Sequence, residues 1–467
     1  MARTDLTALP DLYDLARGND AARPYWNPER ETMPAERLAA LQLEKLRVQL
    51  RYLRDNSALY QAKFREAGVA PEDVRSLADL ALVPFTTKHE LRASQDAAPP
   101  FGLHQAAPMD RIVRTTATSG TSGKPVYQGY SRNDVLRRSE SVCRGFWGYG
   151  IRPGDRVVNG FALSMFSAGV PFNVGLEQLG AVSIPAGAER KAEGVLKIIR
   201  DLRATALVST PSFAAYLAEK SPEVLGVPAR ELGVRVICGG GESGFEQPAF
   251  QQLMEQQWGT PFVYDWASSS DAHPNIFAHC AEREGKHHLT GDMVLTQLID
   301  PATGAMREIA DGAEGEYIIT HLDREACPLL RYRTGDILRV RTKPCACGRT
   351  GFRMDIIGRS DDMLIVRGIN VFPIALVNIV GEFVPQATGK AQVVLQAAGT
   401  KVEPPVRLRV ECGDGIDPGS AQALEMKAGI EKKIRADLSV TTNIELVAFG
   451  RFERTAAKTR LVVIEPA

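Results

Sequence analysis

Leucines and other apolar residues recur at helical spacing through residues 35–66 (AERLAALQLEKLRVQLRYLRDNSALYQAKFRE), a stretch without internal Gly or Pro. This pattern predicts one or two amphipathic helices. From residue 110 to residue 340 short β-rich apolar runs alternate with helical segments. RVVNGFAL (156–163), TALVST (205–210) and VRVICGG (234–240) read as buried strands, and SRNDVLRRSESVCRGFW (131–147), KAEGVLKIIRDL (191–202) and QPAFQQLMEQQW (247–258) as the helices between them. Such alternation predicts α/β layers with parallel pairing.

Near residue 340 the character changes. KPCACGRTG (343–351) reads as a loop, and GRSDDMLIVRGINVFP (358–373) as a turn leading into strands. Beyond it KAQVVLQAAG, PVRLRVEC and NIELVAF read as strands and SAQALEMKAGIEKKIRADL as a helix. This segment, roughly 110 residues long, predicts a separate α+β domain of a size that folds alone. The boundary falls at 357–361, giving a large α/β core over 1–357 and a small C-terminal domain over 358–467.

Composition changes this picture little. A length of 467 residues, at roughly 150 residues per domain, suggests about three folding units. Lys+Arg and Asp+Glu balance at 56 each, so nothing favours a polyanionic partner such as nucleic acid. The opening MARTDLTALPDLYDLARGND has no apolar stretch of the kind a secretory signal needs. Nor does any run reach the ~18 apolar residues of a membrane span. Seven scattered cysteines argue against a disulfide framework and for a reducing compartment, which makes the cytoplasm the expected location.

The first candidate chemistry lies at TTATSGTSGKPV (115–126), which combines Thr115, Thr116, Thr118, Ser119, Thr121 and Ser122 with Gly120, Gly123 and Lys124. Glycines let a backbone approach a ligand closely, hydroxyls and N–H groups bond phosphate oxygens, and the lysine adds charge. It is not a Walker A loop. Pro125 occupies the Ser/Thr position and Thr118 the place of the first glycine. A flexible Ser/Gly linker is the other reading, but the segment sits between two elements of a compact domain, which favours phosphate binding.

The run from Thr118 to Pro125 resembles the phosphate loop of the adenylate-forming enzymes, the superfamily of acyl-CoA ligases, peptide-synthetase adenylation domains and luciferases. LVPFTTKHELR, RPGDRVVNGF, GLEQLGAVSIPAG, PLLRYRTGDI, CACGRT and GRSDDMLIVRGINVFP narrow the resemblance to the phenylacetate–CoA ligase branch, over residues 35–467. The resemblance implies ATP-dependent activation of a small carboxylic acid as its acyl-adenylate, then transfer to coenzyme A, with Mg²⁺ accompanying ATP. It also implies a C-terminal lid that moves between the two steps, and homodimeric assembly as one option.

Carried over by position, Thr118, Ser119, Gly120, Thr121, Ser122 and Gly123 would hold the nucleotide phosphates with Lys124. Asp336 of RYRTGDI would hold the ribose hydroxyls, since a carboxylate accepts from both arms of a cis-diol. Gly241, Glu242 and Tyr264 would line the adenine site, Arg359 would contact the nucleotide, and Asp361 would be the hinge. Lys458, in RFERTAAKTRLVV, would be the catalytic lysine that offsets charge as an acid attacks phosphorus. Phe161, Phe166, Phe172, Ser212 and Phe213 would line the acyl pocket, although buried aromatics also serve as ordinary core.

Cys345-Ala-Cys347 offers two thiolates, and zinc wants four ligands. Cys280 and His287 fall where the branch carries a Cys and a His, which completes a structural Zn²⁺ set, with His288 as the alternative nitrogen. The chain departs from the branch at YDWASSSD (264–271), where Ser268 replaces the glutamate that helps hold Mg²⁺ and Asp271 is the nearest substitute. Two other readings follow: an adenylate-forming ligase that passes its acyl group to an amine or carrier-protein thiol, and a binding protein on this fold with impaired catalysis.

Overall fold

A computed structural model describes residues 22–118, 124–268, 270–274, 276–367, 369–397, 399–452 and 461–465. Two compact units emerge. The first comprises residues 1–155, 162–185 and 266–355; the second comprises 156–161, 186–265 and 356–467.

In the first unit the 35–66 pattern becomes two helices, Ala35–Asn56 and Ala58–Ala67, broken at Ser57, whose backbone is extended. Their apolar stripe, Leu46, Leu50, Leu53, Tyr60 and Phe64, packs with Leu295, Leu322 and Leu330. Burying such side chains contributes roughly 1.5–3 kcal/mol each. The longer helix also buries Lys45, which reaches Asp323 at 2.9 Å and the Asp292 carbonyl at 2.6 Å. A hairpin, Ile112–Ala117 with Tyr127–Ser131, leads into helix Arg132–Gly148. That helix starts on a capping box between Ser131 and Asp134. It packs closely on helix Val170–Leu179 because Gly175 faces Val142; a Cβ there would lie 2.3 Å from the valine.

Strands Val294–Ile299, Glu314–His321 and Tyr332–Arg341 follow as an antiparallel meander. Here the expectation of parallel pairing through residue 340 is corrected. The connections between these strands, 300–313 and 322–331, contain no helix of the kind that joins parallel neighbours. Strand Lys286–His288 then pairs antiparallel with both Phe277–Ala278 and Arg353–Arg359.

The second unit holds the parallel part. Arg156–Asn159 pairs with Ala206–Ser209, and Ala206–Ser209 with Val236–Gly240. Helices Lys191–Asp201, Pro211–Leu225 and Pro248–Trp258 are interspersed with these strands along the chain. The first strand ends at Asn159, short of the 156–163 run. Its C-terminal residues form a four-stranded sheet in the order Thr442–Val447, Val406–Cys412, Ala387–Leu395, Val462–Ile464. Helices Pro373–Gly381 and Ala421–Leu438 share a core with it that includes Leu376, Val380, Val393, Leu408, Ile430 and Ile434. Among the described residues no helix is long and apolar enough to cross a membrane.

Candidate active site and metal centre

Asp336 stands on a bulge. Opposite Glu316–Ile318 the pairing of Tyr332–Arg341 shifts register, and Gly335 supplies the positive φ, +80°, that the irregularity requires. The Thr334 hydroxyl accepts the Asp336 N–H at 3.1 Å and donates to the Tyr317 carbonyl at 2.7 Å. Glu316 holds Arg333 as an ion pair and accepts the Gly335 N–H at 3.2 Å. Bulges re-aim a side chain, and this one leaves Asp336 only half-buried.

The hairpin places its two strands at either end of the glycine and hydroxyl segment. Thr118 is buried and closes the neck: its N–H donates to the Val126 carbonyl at 3.0 Å and its hydroxyl accepts the Val126 N–H at 3.1 Å. Ser119, Gly120, Thr121, Ser122 and Gly123 lie outside the described residues, as does Lys458. Lys124 is exposed and ion-paired with Asp96. Helix Lys88–Ala97 braces the returning arm, with Gln95 bonded to the Pro125 carbonyl and the Tyr127 N–H.

The 264–274 segment carries the departure from the branch. The Ser268 hydroxyl meets His273 Nε2 at 3.2 Å. Burial, with Arg138 and Arg324 nearby, pushes the imidazole well below its usual range, so it is neutral. Asp271 accepts the Tyr332 hydroxyl at 2.5 Å and has Lys88 Nζ at 3.6 Å. The nearest carboxylate to the missing glutamate is therefore already engaged.

In the second unit, strand Val236–Gly240 ends where Gly239, at φ +157°, lies so close to the Ser209 carbonyl that a Cβ would collide with it. Gly241 follows at φ +91°. Glu242 accepts the Ser212 N–H at 2.8 Å, in the first turn of helix Pro211–Leu225 beside the buried Phe213. Tyr264 is buried and stacks near Phe262 at 6.5 Å. Arg359 grips Asp361 through two hydrogen bonds of 2.8 and 2.9 Å, so the expected nucleotide contact and the expected hinge pair with each other. Ser243 and Gln247 both bond the Asn378 side chain, at 2.8 and 3.1 Å.

Of the expected acyl-pocket residues, Phe172 lies in an aromatic cluster with Phe146 and Trp266, at 5.3 and 4.8 Å between ring centres. Phe166 is exposed, and Phe161 is half-buried in the other unit.

The four metal candidates converge. Ligand atoms of Cys280, His287, Cys345 and Cys347 all lie within 4.8 Å of one another. Cys280 and Cys345 sulfurs are 3.6 Å apart, and Cys347 Sγ is 3.4 Å from His287 Nε2. A tetrahedron with Zn–S bonds of about 2.3 Å has sulfur edges of about 3.8 Å, so the set fits zinc. Two turns and one strand pairing build it: the Arg283 N–H closes a turn on the Cys280 carbonyl at 3.1 Å, the 345–348 turn ends on Gly348 at φ +76°, and Arg353 pairs with His287. His288, the alternative ligand, faces the other side of its strand, stacked on Phe277 at 4.8 Å.

Sequence reasoning missed what holds this knuckle. The Tyr25 hydroxyl donates to the Cys347 carbonyl at 2.7 Å, and Arg349 donates to buried Glu31 at 2.9 Å. Thr350 bonds the carbonyls of Glu31 and Met33. Residues 25–33 carry no apolar period and no motif to betray this role.

A layered α/β body with a C-terminal α+β segment, and an acid presented on a strand bulge, define an adenylate-forming enzyme. Residues 368–465 match the AMP-binding enzyme C-terminal domain. The chain is 33% identical over 442 residues to the phenylacetate–coenzyme A ligase of Thermus thermophilus, covering 92% of this chain and 97% of that one. It is also 33% identical to the Pseudomonas putida phenylacetate–coenzyme A ligase over 94% and 97% of the two chains. A crystal structure of 2-hydroxyisobutyryl-CoA ligase with 2-HIB-AMP superposes with a TM-score of 0.88 at 30% identity, covering 97% of this chain and 95% of that one. The chain belongs to the phenylacetate–CoA ligase family.

Proposed function

We propose that this protein is an AMP-forming acid–CoA ligase. A small carboxylic acid attacks the α-phosphate of ATP, releasing pyrophosphate and leaving acyl-AMP; the thiol of coenzyme A then displaces AMP. The observation that carries this reading is relatedness over nearly the full length of curated phenylacetate–coenzyme A ligases.

In this reading the Asp336 carboxylate accepts the ribose hydroxyls, for which its bulge supplies a half-buried, re-aimed acid. Residues 118–123 with Lys124 take the phosphates, Gly241, Glu242 and Tyr264 the adenine side, and Phe161, Phe166, Phe172, Ser212 and Phe213 the acyl group. Residues 358–467 are a lid that turns at Asp361, where the pairing of Arg359 with Asp361 would be exchanged for contact with the nucleotide. Lys458 offsets the negative charge that builds as two anions meet at phosphorus. Mg²⁺ enters with ATP. Ser268 offers it no carboxylate, and Asp271 is already bonded to Tyr332. The Cys280, His287, Cys345 and Cys347 knuckle holds a structural Zn²⁺, and cysteines without a disulfide suit a reducing cytoplasm.

The Ser268 substitution favours a second reading, a member with impaired catalysis. Incubation with ATP, Mg²⁺ and a panel of aryl and alkyl acids, with and without CoA, separates the cases. Pyrophosphate release with thioester formation supports the ligase. Release without thioester moves the acceptor to an amine or carrier thiol, and no release from any acid supports the impaired reading. Lys458→Ala should lower pyrophosphate release by about 10²–10³-fold with the fold intact; unchanged release removes Lys458 from the mechanism.

A further inference from the structure

Behind the hairpin lies a cavity enclosed by charge. It is lined by Tyr130, Arg138, His273 and Arg324 together with Asp134, Arg137 and Asp323. Its free volume is about 10 Å³, room for a single water-sized body. Arg138, His273 and Arg324 are each at most 2% exposed.

These three side chains carry donors with no acceptor: Nε and Nη1 of Arg138, Nε of Arg324 and Nδ1 of His273. The bonds they do make go to neutral groups. Arg138 reaches the Ser167 carbonyl at 2.8 Å, and Arg324 the His273 carbonyl at 2.7 Å, Gln128 Oε1 at 3.3 Å and the Gly129 carbonyl at 3.4 Å. Both guanidinium groups stand over the Tyr130 ring, at 5.0 and 4.4 Å from its centre. With the proton on Nδ1, His273 accepts the Ser268 hydroxyl at Nε2 and keeps a donor for the cavity.

Carboxylates nearby are committed elsewhere. Asp134 accepts the N–H groups of Ser131, Glu325 and Ala326. Asp323 lies between Lys45 at 2.9 Å and Arg137 at 3.4 Å. Around this space Arg137, Arg138 and Arg324 outnumber Asp134 and Asp323, and the unsatisfied groups on Arg138, Arg324 and His273 are donors.

We infer that this cavity is a site for one small inorganic anion of halide size, held by Arg138, Arg324 and His273. Water would leave the charge excess in place. A halide accepts from every orphan donor and supplies the missing charge. The occupant would tie strand Tyr127–Ser131, the returning arm of the hairpin, to the 273 and 324 segments.

Bromide is the probe. Crystals of the full chain soaked in sodium bromide should show an anomalous peak in the cavity, within hydrogen-bonding reach of Arg138 and Arg324. Water-strength density there, with bromide only at the surface, overturns the proposal. In solution, sodium chloride or bromide should raise the melting temperature above sodium gluconate at matched ionic strength, by about 2–4 °C when the halide is in roughly tenfold excess over its dissociation constant. Arg138→Met should abolish that difference while an exposed control, Arg65→Met, keeps it. Equal melting temperatures in halide and gluconate for the unaltered protein also refute the site. The bromide map needs no variant, so a misfolded Arg138→Met leaves the test intact.

Discussion

The knuckle at residues 280–287 and 345–350 and the stretch from Trp266 to Pro274 both lie in the first unit, and they solve opposite problems. In the knuckle every group leans on another. Three sulfurs and one imidazole converge, and Glu31, Arg349, Tyr25 and Thr350 fix the turn beneath them. In the 264–274 segment one residue, Ser268, stands in place of an acid, and its neighbours have paired among themselves: Ser268 with His273, Asp271 with Tyr332. A shared donor set makes each member indispensable. A single-residue role can be lost locally, its neighbours closing over it.

The largest test of that contrast is Cys280→Ser. The purified protein should hold close to one equivalent of zinc by elemental analysis and the variant none. Its melting temperature should fall by roughly 10 °C, since a metal bound only by the folded chain contributes several kcal/mol to folding. Unchanged metal content in the variant would break the comparison. Next, Arg349→Met should cost about 3–5 kcal/mol in denaturant unfolding, because it strands a buried carboxylate. Burial already pushes Glu31 up, and Arg349 opposes that shift. A loss below about 1 kcal/mol would show that the knuckle does not depend on residues 25–33.

Acid titration sharpens the metal test, provided the background is known. His104 is buried, and burial lowers its pKa from 6.5 to about 4. Between those values the unfolded chain binds a proton that the folded chain refuses. Stability should therefore fall as pH drops from about 6.5 to 4, by up to about 3 kcal/mol, and gain nothing from this group below that. His104→Gln should flatten the slope by nearly one proton near the middle of that range. Metal release must be read against this baseline. The smallest expected effect is Ser268→Glu, which should lower the Mg²⁺ concentration for half-maximal pyrophosphate release by less than about tenfold. A larger gain would mean that the substitution, and not the paired neighbours, limits the ion.

Much of this was legible in the chain because it is local or periodic. Helical spacing at 35–66, the glycine and hydroxyl run at 115–126 and the cysteine pair at 345 and 347 each need only neighbours in sequence to be read. The set of Cys280, His287, Cys345 and Cys347 was legible through resemblance, and the tertiary structure brings His287, not His288, to the sulfurs by the twofold alternation of a strand. The antiparallel meander was misread, since an apolar run shows that a strand is buried without showing which way its partner runs.

The sequence by itself determined the layered α/β class, the α+β C-terminal segment and the family to which the chain belongs. Those properties reside in periods, turn residues and motifs a few positions long. Only the tertiary structure decided that residues 25–33 brace the knuckle, that Asp271 is already bound by Tyr332, and that Arg138, Arg324 and His273 face one small cavity. Each of these joins residues dozens to hundreds of positions apart. Which buried charge finds a partner depends on how the elements pack, and no local pattern encodes that.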